Sequence, residues 1–243
     1  MNDLPSDIDL PAEDLGIGGT NYSRVSEAIR TAIFARRYGP GERLKVLDLA
    51  REFAVSPIPI REALQQLQGE GLVVITPNRG AAVRVIDRTL ISNIFDIREA
   101  IDGMLARASA RVVTDEQIEK LRGIEDAIEA ATRGDHLNRS GELGRSFHEY
   151  IGVVANNLEA VKIRRAHANV FRSVKTAMGA EHFRSSKRQE EHRTIIEALA
   201  RHDPEAAEAA ARTHAQAWRQ SVLDHYDTTT TTKQTASAPF GRR

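Results

Sequence analysis

Residues 47–86 read LDLAREFAVSPIPIREALQQLQGEGLVVITPNRGAAVRVI, and this stretch decides the fold of the first part of the chain. Its apolar spacing predicts a short helix over 47–53, a tight turn, and a longer helix over 58–70. Ser56 is a suitable N-cap for the longer helix, and Pro57 suits the first helical position, where its missing amide hydrogen costs little. Two helices joined by a tight turn are therefore expected.

One helix before this pair and a hairpin after it complete the unit. Apolar residues recur at three- and four-residue spacing over 22–37, and the glycines and proline of 39–41 end that helix. Residues 72–76 and 81–86 are rich in β-branched residues and are separated by the turn PNRG. The resulting order predicts a winged helix-turn-helix.

Composition excludes several kinds of site. The 243 residues carry 34 Lys plus Arg against 34 Asp plus Glu, and they include no cysteine. Disulfides, thiolate metal sites and cysteine nucleophiles are therefore excluded. The N-terminus is acidic where a signal peptide is basic, and no window of roughly 18 residues is apolar enough to span a membrane. We expect a cytoplasmic protein.

The remainder of the chain has a helical period almost throughout. Six helices and no convincing strand predict an all-α bundle after the wing, which makes the protein mainly α. The expected domains are a winged helix-turn-helix over 21–87 and a helical domain over 88–226. An acidic tail over 1–20 and a Thr-rich tail over 227–243 are expected to be disordered because they lack apolar periodicity.

Three histidines lie on three of the predicted bundle helices: His148, His192 and His214. Each has apolar residues three or four positions away, so each ring is expected to point into the bundle, where it needs a polar partner. The three rings could converge as ligands of a divalent metal. Alternatively, each could be a hydrogen-bonded core histidine, and spacing leaves both alternatives open.

The decisive stretch, together with GPGERL at 39–44, resembles the DNA-binding domain of the GntR family of bacterial transcription regulators over about residues 22–86. The resemblance implies that the third helix enters the major groove and that the wing tip lies near the minor groove. The DNA-contacting positions it implies are Ser56, Pro57, Ile58 and Arg61 on the helix, and Arg79 and Gly80 at the wing tip.

The sequence departs from the family at two of these positions. Pro57 stands where an arginine is usual, and Ile58 stands where a threonine is usual. A lost guanidinium removes a possible guanine contact that discriminates by about 1–3 kcal/mol. From the residues alone, Arg61 could instead pair with Glu62 on the surface, and Arg79 could be a solvated turn charge.

The bundle is similar to the FCD effector domain of the FadR-type branch of that family. The resemblance is carried by the Phe-His pair at 147–148, by Asn-Asn-Leu at 156–158, and by EHRTIIEALARHDPEAAEAAARTH at 191–214. It implies that a divalent metal (Zn, Ni or Mn) is held by the three histidines. It also implies that a small carboxylate effector binds against them and against Arg98. From spacing alone, Arg98 could instead pair with Asp102 on a solvated face.

The acidic metal ligand of the family is missing here. It lies four residues before the FH histidine, and that position is Gly144 in this chain. Glu142, Glu99 or Asp102 could replace it, water could fill the position, or the site could bind no metal.

The combined expectation is a homodimeric transcription regulator that binds an operator in double-stranded DNA and responds to a small organic acid. A dimer would present two recognition helices to a pseudopalindromic operator. The alternatives are a metal-free effector pocket, a bundle that only dimerises, and, more remotely, a metal-dependent hydrolase. An enzyme is not expected, because no acid is paired with a histidine in a metallohydrolase motif.

Overall fold

The computed structural model describes residues 21–178 and 186–236, so the acidic tail over 1–20 lies outside the described residues. Within them, the elements are α1 (Asn21–Phe34), β1 (Arg43–Leu44), α2 (Val46–Glu52), α3 (Pro57–Gly69), β2 (Val73–Thr76), β3 (Gly80–Val83), α4 (Arg88–Ser109), α5 (Asp115–Arg133), α6 (Leu137–Val154), α7 (Leu158–Met178), α8 (Ser186–Ala200) and α9 (Pro204–Ala236). The predicted mainly α architecture is confirmed.

The winged unit contains a three-stranded antiparallel sheet in the order β1-β3-β2. In the hairpin, Val73 pairs with Val83 and Thr76 with Gly80. The two-residue strand β1 was not predicted, because two residues are too short to show a period. Gly71 has φ +73°, which allows the chain to turn sharply from α3 into β2.

Apolar side chains of α1, α3 and the sheet form the core of this unit. Ile29, Ile60 and Leu67 are completely buried there.

Two local features of the helices differ from the sequence prediction. The short helix predicted over 47–53 is α2, which begins at Val46 and ends at Glu52; it buries Leu49 and Ala50, while Leu47 is 63% exposed. Ser56 occupies the N-cap of α3, but its side chain makes no capping hydrogen bond.

Helices α4 to α9 form the bundle, in which α4 packs along α9 and α5 packs against α6 and α8. The sequence Thr-Asp-Glu-Gln over 114–117 has the pattern of a capping box, and α5 begins with one, in which Thr114 and Gln117 bond reciprocally. Asp203 caps α9 by accepting a hydrogen bond from the Ala206 amide. None of the helices in the two described ranges is long and apolar enough to cross a membrane.

Helix α9 extends further than the sequence indicated. It continues to Ala236, ten residues into the segment 227–243 that was expected to be disordered, while 237–243 lie outside the described residues. No glycine or proline interrupts the chain between Pro204 and Ala236, and Asp227 pairs with Arg88 at the start of α4. The ion pair that holds this part of α9 therefore depends on Arg88, which lies far from the threonines in the sequence.

Two helical glycines provide a test of bundle packing. A Cβ at Gly152 of α6 would lie 2.4 Å from Val161 Cγ2, whereas nothing lies within 4 Å of a Cβ at Gly123 of α5. We expect Gly152→Ala to destabilise the protein by about 1–3 kcal/mol through overpacking. Gly123→Ala should stabilise it by up to about 1 kcal/mol through helix propensity. Urea denaturation measures both, and equal effects would contradict the close approach of α6 and α7.

Candidate functional site

The three predicted histidines meet inside the bundle. His148 comes from α6, His192 from α8 and His214 from α9, and all three are buried. Each offers one ring nitrogen, and these three nitrogens lie within 4.8 Å of one another. Their convergence is therefore confirmed, and their arrangement could hold a metal ion.

Local packing explains how each ring is aimed. Phe147 is completely buried and stacks on the His192 ring with centroids 4.3 Å apart. The buried apolar faces of α6 and α8, including Ile151 and Ile195, place His148 and His192 toward the same interior point. The amphipathic period that builds the bundle thus also positions the ligands.

Two of the histidines are held by carboxylates through one ring nitrogen. His192 Nδ1 lies 2.5 Å from Glu125 Oε2, and His214 Nδ1 lies 2.9 Å from Glu191 Oε2. The Nε2 atoms of both histidines are buried and have no hydrogen-bond partner among the described residues. A carboxylate on one nitrogen and a free second nitrogen is the arrangement found in metal-ligating histidines.

The protonation of the rings also suits a metal. Burial lowers the pKa of His214 to about 4, against the opposing effect of Glu191. Burial, with the charge of Arg164 as the next cause, lowers the pKa of His148 well below its ordinary value. Both imidazoles are therefore neutral near pH 7, which is the form that binds a divalent cation. The donor set present fits such an ion.

The neighbouring acid Asp102 is hydrogen-bonded to Arg164. It accepts hydrogen bonds from Arg164 Nε at 2.6 Å and Arg164 Nη2 at 3.3 Å, and both side chains are buried. Its Oδ2 lies 3.9 Å from His148 Nδ1. Burial raises the pKa of Asp102, but Arg164 and Arg98 outweigh that effect and hold the carboxyl below its ordinary pKa.

Gly144 leaves open space at the position where the resemblance to FCD domains implies an acid. No atom lies within 4 Å of the position that a Cβ would take there. Glu142 pairs with Arg139 on the surface, and Glu99 pairs with Arg212. Among the three acids considered as substitutes, Asp102 alone contacts the histidine cluster.

A cavity of about 50 Å³ lies beside the cluster. Four arginines, from α4, α6, α7 and α8, line it together with His148, His192, Gly144 and Trp218; the four are Arg98, Arg145, Arg164 and Arg188. None of the described residues that line it is a carboxylate. The cavity is thus suited to an anion.

Arg98 lies inside this cavity rather than on a solvated face. Burial, with the charge of Arg164 as the next cause, lowers the pKa of Arg98 to about 9. Its guanidinium carbon lies 5.6 Å from the centroid of the Trp218 ring. The alternative of a pair with Asp102 on a solvated face is therefore wrong, because Arg98 and Asp102 are both buried.

Sequence reasoning missed the groups that support the histidines. Glu125 is a buried acid inside the apolar face of α5, between Leu121 and Ile128, and that interruption was a usable signal. Arg164 was harder to predict, because an arginine on a helix is expected to be exposed unless a buried partner, here Asp102 on α4, is known.

The predicted DNA-contacting residues all lie on the surface of the winged unit. Ser56, Pro57, Ile58, Arg61, Arg79 and Gly80 are all exposed. Ile58 is 67% exposed at the start of α3. The Arg61 side chain forms no ion pair with Glu62 or with any other residue in the described ranges. Gly80 has φ +81°, which favours glycine at the wing tip.

Two family models match the chain. The one described as bacterial regulatory proteins of the gntR family matches residues 21–83. The FCD domain matches residues 93–217, which include all three buried histidines.

Relatives and solved structures agree with these matches. The HTH-type transcriptional repressor RspR of Escherichia coli K12 is 30% identical over 185 residues, covering 75% of this chain and 80% of RspR. The Nta operon transcriptional regulator of Aminobacter aminovorans is 29% identical over 132 residues, which cover 53% of this chain and 61% of that relative.

Among solved structures, a Rhodococcus sp. RHA1 protein that carries the name transcriptional regulator GntR has a TM-score of 0.66 at 23% identity. That alignment covers 85% of this chain and 99% of the Rhodococcus chain. McbR/YncC of Escherichia coli has a TM-score of 0.64 at 17% identity, covering 86% and 100%. These likenesses show a shared fold.

The lowered pKa of His214 predicts a loss of stability in acid. The folded protein keeps this ring neutral down to about pH 4, whereas the unfolded chain takes up a proton near pH 6.5. Stability is therefore complete above pH 6.5 and falls as the pH drops toward 4. Between pH 7 and pH 5 this group alone should cost about 2 kcal/mol.

Urea denaturation with a chelator present, at pH 7 and at pH 5, measures this loss. His214→Gln should lose about 2 kcal/mol less than the wild type over that interval. His136→Gln, at an exposed histidine, should behave as the wild type does. The same acid sensitivity in all three proteins would show that His214 is not held neutral.

Proposed function

Because the chain belongs to the gntR family of bacterial regulatory proteins and carries an FCD domain, we propose that a small carboxylate bound beside its three histidines controls its affinity for operator DNA. The family makes the protein a DNA-binding transcription regulator and not an enzyme. One observation carries the proposal beyond the family: a cavity lined by four guanidinium groups lies directly against the buried histidine cluster. Acting on operator DNA, the protein would work in the cytoplasm.

DNA is bound by the exposed start of α3 and by the wing tip. Ser56, Pro57 and Ile58 lie at the end of α3 that enters the major groove in proteins of this fold. Arg61 lies one turn further along and is available for a base or a phosphate. At the wing tip, Arg79 and Gly80 approach the minor groove or its phosphates, and Gly80 lets the backbone come close.

The histidine cluster holds a divalent metal through His148, His192 and His214. The support is the pair of buried Nε2 atoms without partners, each on a ring whose Nδ1 is held by a carboxylate. A bound ion would supply a positive charge and open coordination positions for a carboxylate. The protein's own part is to hold the three rings together and to keep His148 and His214 neutral. Zn, Ni and Mn all suit imidazole and carboxylate ligands.

The effector carboxylate lies between the cluster and Arg98. A guanidinium can grip a carboxylate through two parallel hydrogen bonds, and burial of Arg98 excludes competing water. Arg98 lines the cavity next to His148 and His192, so its guanidinium lies where an incoming carboxylate would meet it.

Effector binding can reach the winged unit through two contacts. Trp218 lines the cavity and also packs against a small apolar cluster that includes Phe95 and Ile86, three residues beyond β3. On the other side, α7 carries Arg164 at the cavity and Val170, which lies so close to Gly71 that a Cβ there would come within 2.6 Å of Val170 Cγ2. Both routes join the site to the base of the wing.

The protein acts as a homodimer. Two copies would present two recognition helices to the halves of a pseudopalindromic operator. Ile97 and Met104 support association, since they lie seven residues apart on α4 and are 41% and 43% exposed. An apolar strip of this kind on a helix is suited to burial against its symmetry mate.

The DNA interface is tested at Arg61. We expect Arg61→Ala to weaken binding by about 10- to 100-fold, the effect of losing one base or phosphate contact. The measurement is fluorescence anisotropy on a duplex selected by the wild type from a random pool. Arg122→Ala, which removes an exposed arginine on α5, is the control and should bind normally. Unchanged affinity in Arg61→Ala would remove Arg61 from the interface.

The metal and effector are tested together on protein purified without chelator. Elemental analysis should find about one divalent ion per wild-type chain, far less in His192→Ala, and a normal content in His136→Ala. Small carboxylates should raise the melting temperature and change operator affinity in the wild type, and chelation should remove both effects. Gly144→Asp should bind the ion more tightly, because its side chain would enter open space beside the cluster.

Other outcomes identify the alternatives. No metal, together with a thermal shift from one acid, would favour a metal-free pocket centred on Arg98. Equal and substoichiometric metal in wild type and His192→Ala would end the metal assignment. The absence of both metal and carboxylate effects would leave a bundle that only dimerises.

A further inference from the structure

The cavity is lined by more positive charges than one bound carboxylate would balance. The guanidinium groups reach it from four helices: Arg98 from α4, Arg145 from α6, Arg164 from α7 and Arg188 from α8. Arg164 is the member that a buried carboxylate neutralises directly, through its two bonds with Asp102. A single effector carboxylate against Arg98 would not reach Arg145 on α6, and it would leave Arg188 on α8 with only the through-space effect of Glu125 and Glu191.

The two acids that act on Arg188 are also the hydrogen-bond partners of two of the histidines. Glu125 and Glu191 raise the pKa of Arg188 through space, while burial lowers it more strongly. Each of these two carboxylates is hydrogen-bonded to a histidine ring. Arg145 has no ion pair with any of the described residues. Placing such cations at a largely enclosed cavity is costly unless an anion compensates them.

The space beside Arg145 is open as well as positive. Gly144 precedes it, and no atom lies within 4 Å of the position that a Cβ at Gly144 would occupy. On the other side, the Arg188 guanidinium carbon lies 5.0 Å from the centroid of the Trp218 ring, which also faces Arg98. The missing side chain thus leaves room for a ligand group between the histidine cluster and these outer arginines.

We infer that the effector is a compact dianion, namely a short-chain dicarboxylate. One carboxylate lies at the histidine cluster and Arg98, and the second lies at Arg145 and Arg188 in the space left by Gly144. The cavity of about 50 Å³ is several times the roughly 10–15 Å³ that one water needs, which suits an acid of few carbon atoms. This inference rests on the proposed function, because it names the class of acid that the same site binds.

The test compares acids of one skeleton that differ by one negative charge. Malonate and succinate are titrated against their monomethyl esters, on the metal-loaded full chain at neutral pH. Calorimetry gives the affinities, and the fluorescence of Trp218, the single tryptophan, reports binding at the cavity. At least one of the two diacids should bind about tenfold or more tightly than its ester, as expected for an added charge-assisted pair.

Variants assign that preference to particular arginines. Arg145→Gln and Arg188→Gln should lower the affinity for the diacid about tenfold and leave the affinity for the ester nearly unchanged. Arg188→Lys keeps the charge and should retain part of the preference. Arg139→Gln, on the same helix as Arg145 but exposed and paired with Glu142, is the matched control and should behave as the wild type.

The outcomes separate this inference from the proposed function. Equal binding of diacid and ester by the wild type would overturn the dianion and leave the carboxylate effector intact. Equal losses for diacid and ester in Arg145→Gln and Arg188→Gln would overturn the assignment of the second carboxylate to these arginines. Failure of all four probes to bind would overturn the effector site of the proposed function, and this inference with it.

Discussion

The ion pair between Asp102 and Arg164 is the interaction on which the interior of the bundle depends. It joins α4 to α7 with both side chains buried, and it places a carboxylate oxygen 3.9 Å from His148 Nδ1. Removing one partner of such a pair leaves an unpaired buried charge, which costs about 3–5 kcal/mol. The pair also contributes to the field of the cavity, because Asp102 and Arg164 offset each other's charge while Arg98, Arg145 and Arg188 add positive charge to the lining. That lining would attract an anion from outside.

Two buried histidines of the cluster, His192 and His214, have a hydrogen-bond partner at one ring nitrogen and none among the described residues at the other. Glu125 Oε2 lies 2.5 Å from His192 Nδ1, yet the Nε2 atom of that ring has no partner among the described residues. The same is true of His214 Nε2. Native interiors leave few buried polar atoms unpaired. Among the described residues, Glu125 Oε1 and His167 Nδ1 are the other such atoms, but the two ring nitrogens converge with His148 within 4.8 Å, so a single bound ligand would account for both.

The parts of this structure that the sequence predicted are those that local spacing encodes. The winged unit and the inward histidines follow from apolar residues three and four positions apart, and the Thr114 cap follows from its motif. Partners distant in sequence were not predictable. Glu125 meets a histidine 67 positions away, and Arg164 meets an acid 62 positions away. The extension of α9 past residue 227 was missed for the same reason, because its ion-pair partner, Arg88, lies on α4.

Contacts between residues that are distant in sequence also determine how binding in the cavity can affect the DNA-binding unit. An effector shifts an equilibrium between two arrangements of the winged units only by the difference in its affinity for them. Trp218 is positioned to create such a difference, because it faces Arg98 and Arg188 and also packs against the buried apolar cluster that contains Phe95. An anion that draws the two guanidinium groups toward itself changes the surroundings of the ring. Ile86, at the base of the wing, packs against the same cluster, so such a change can pass through the cluster to the wing, since close-packed interiors transmit shifts.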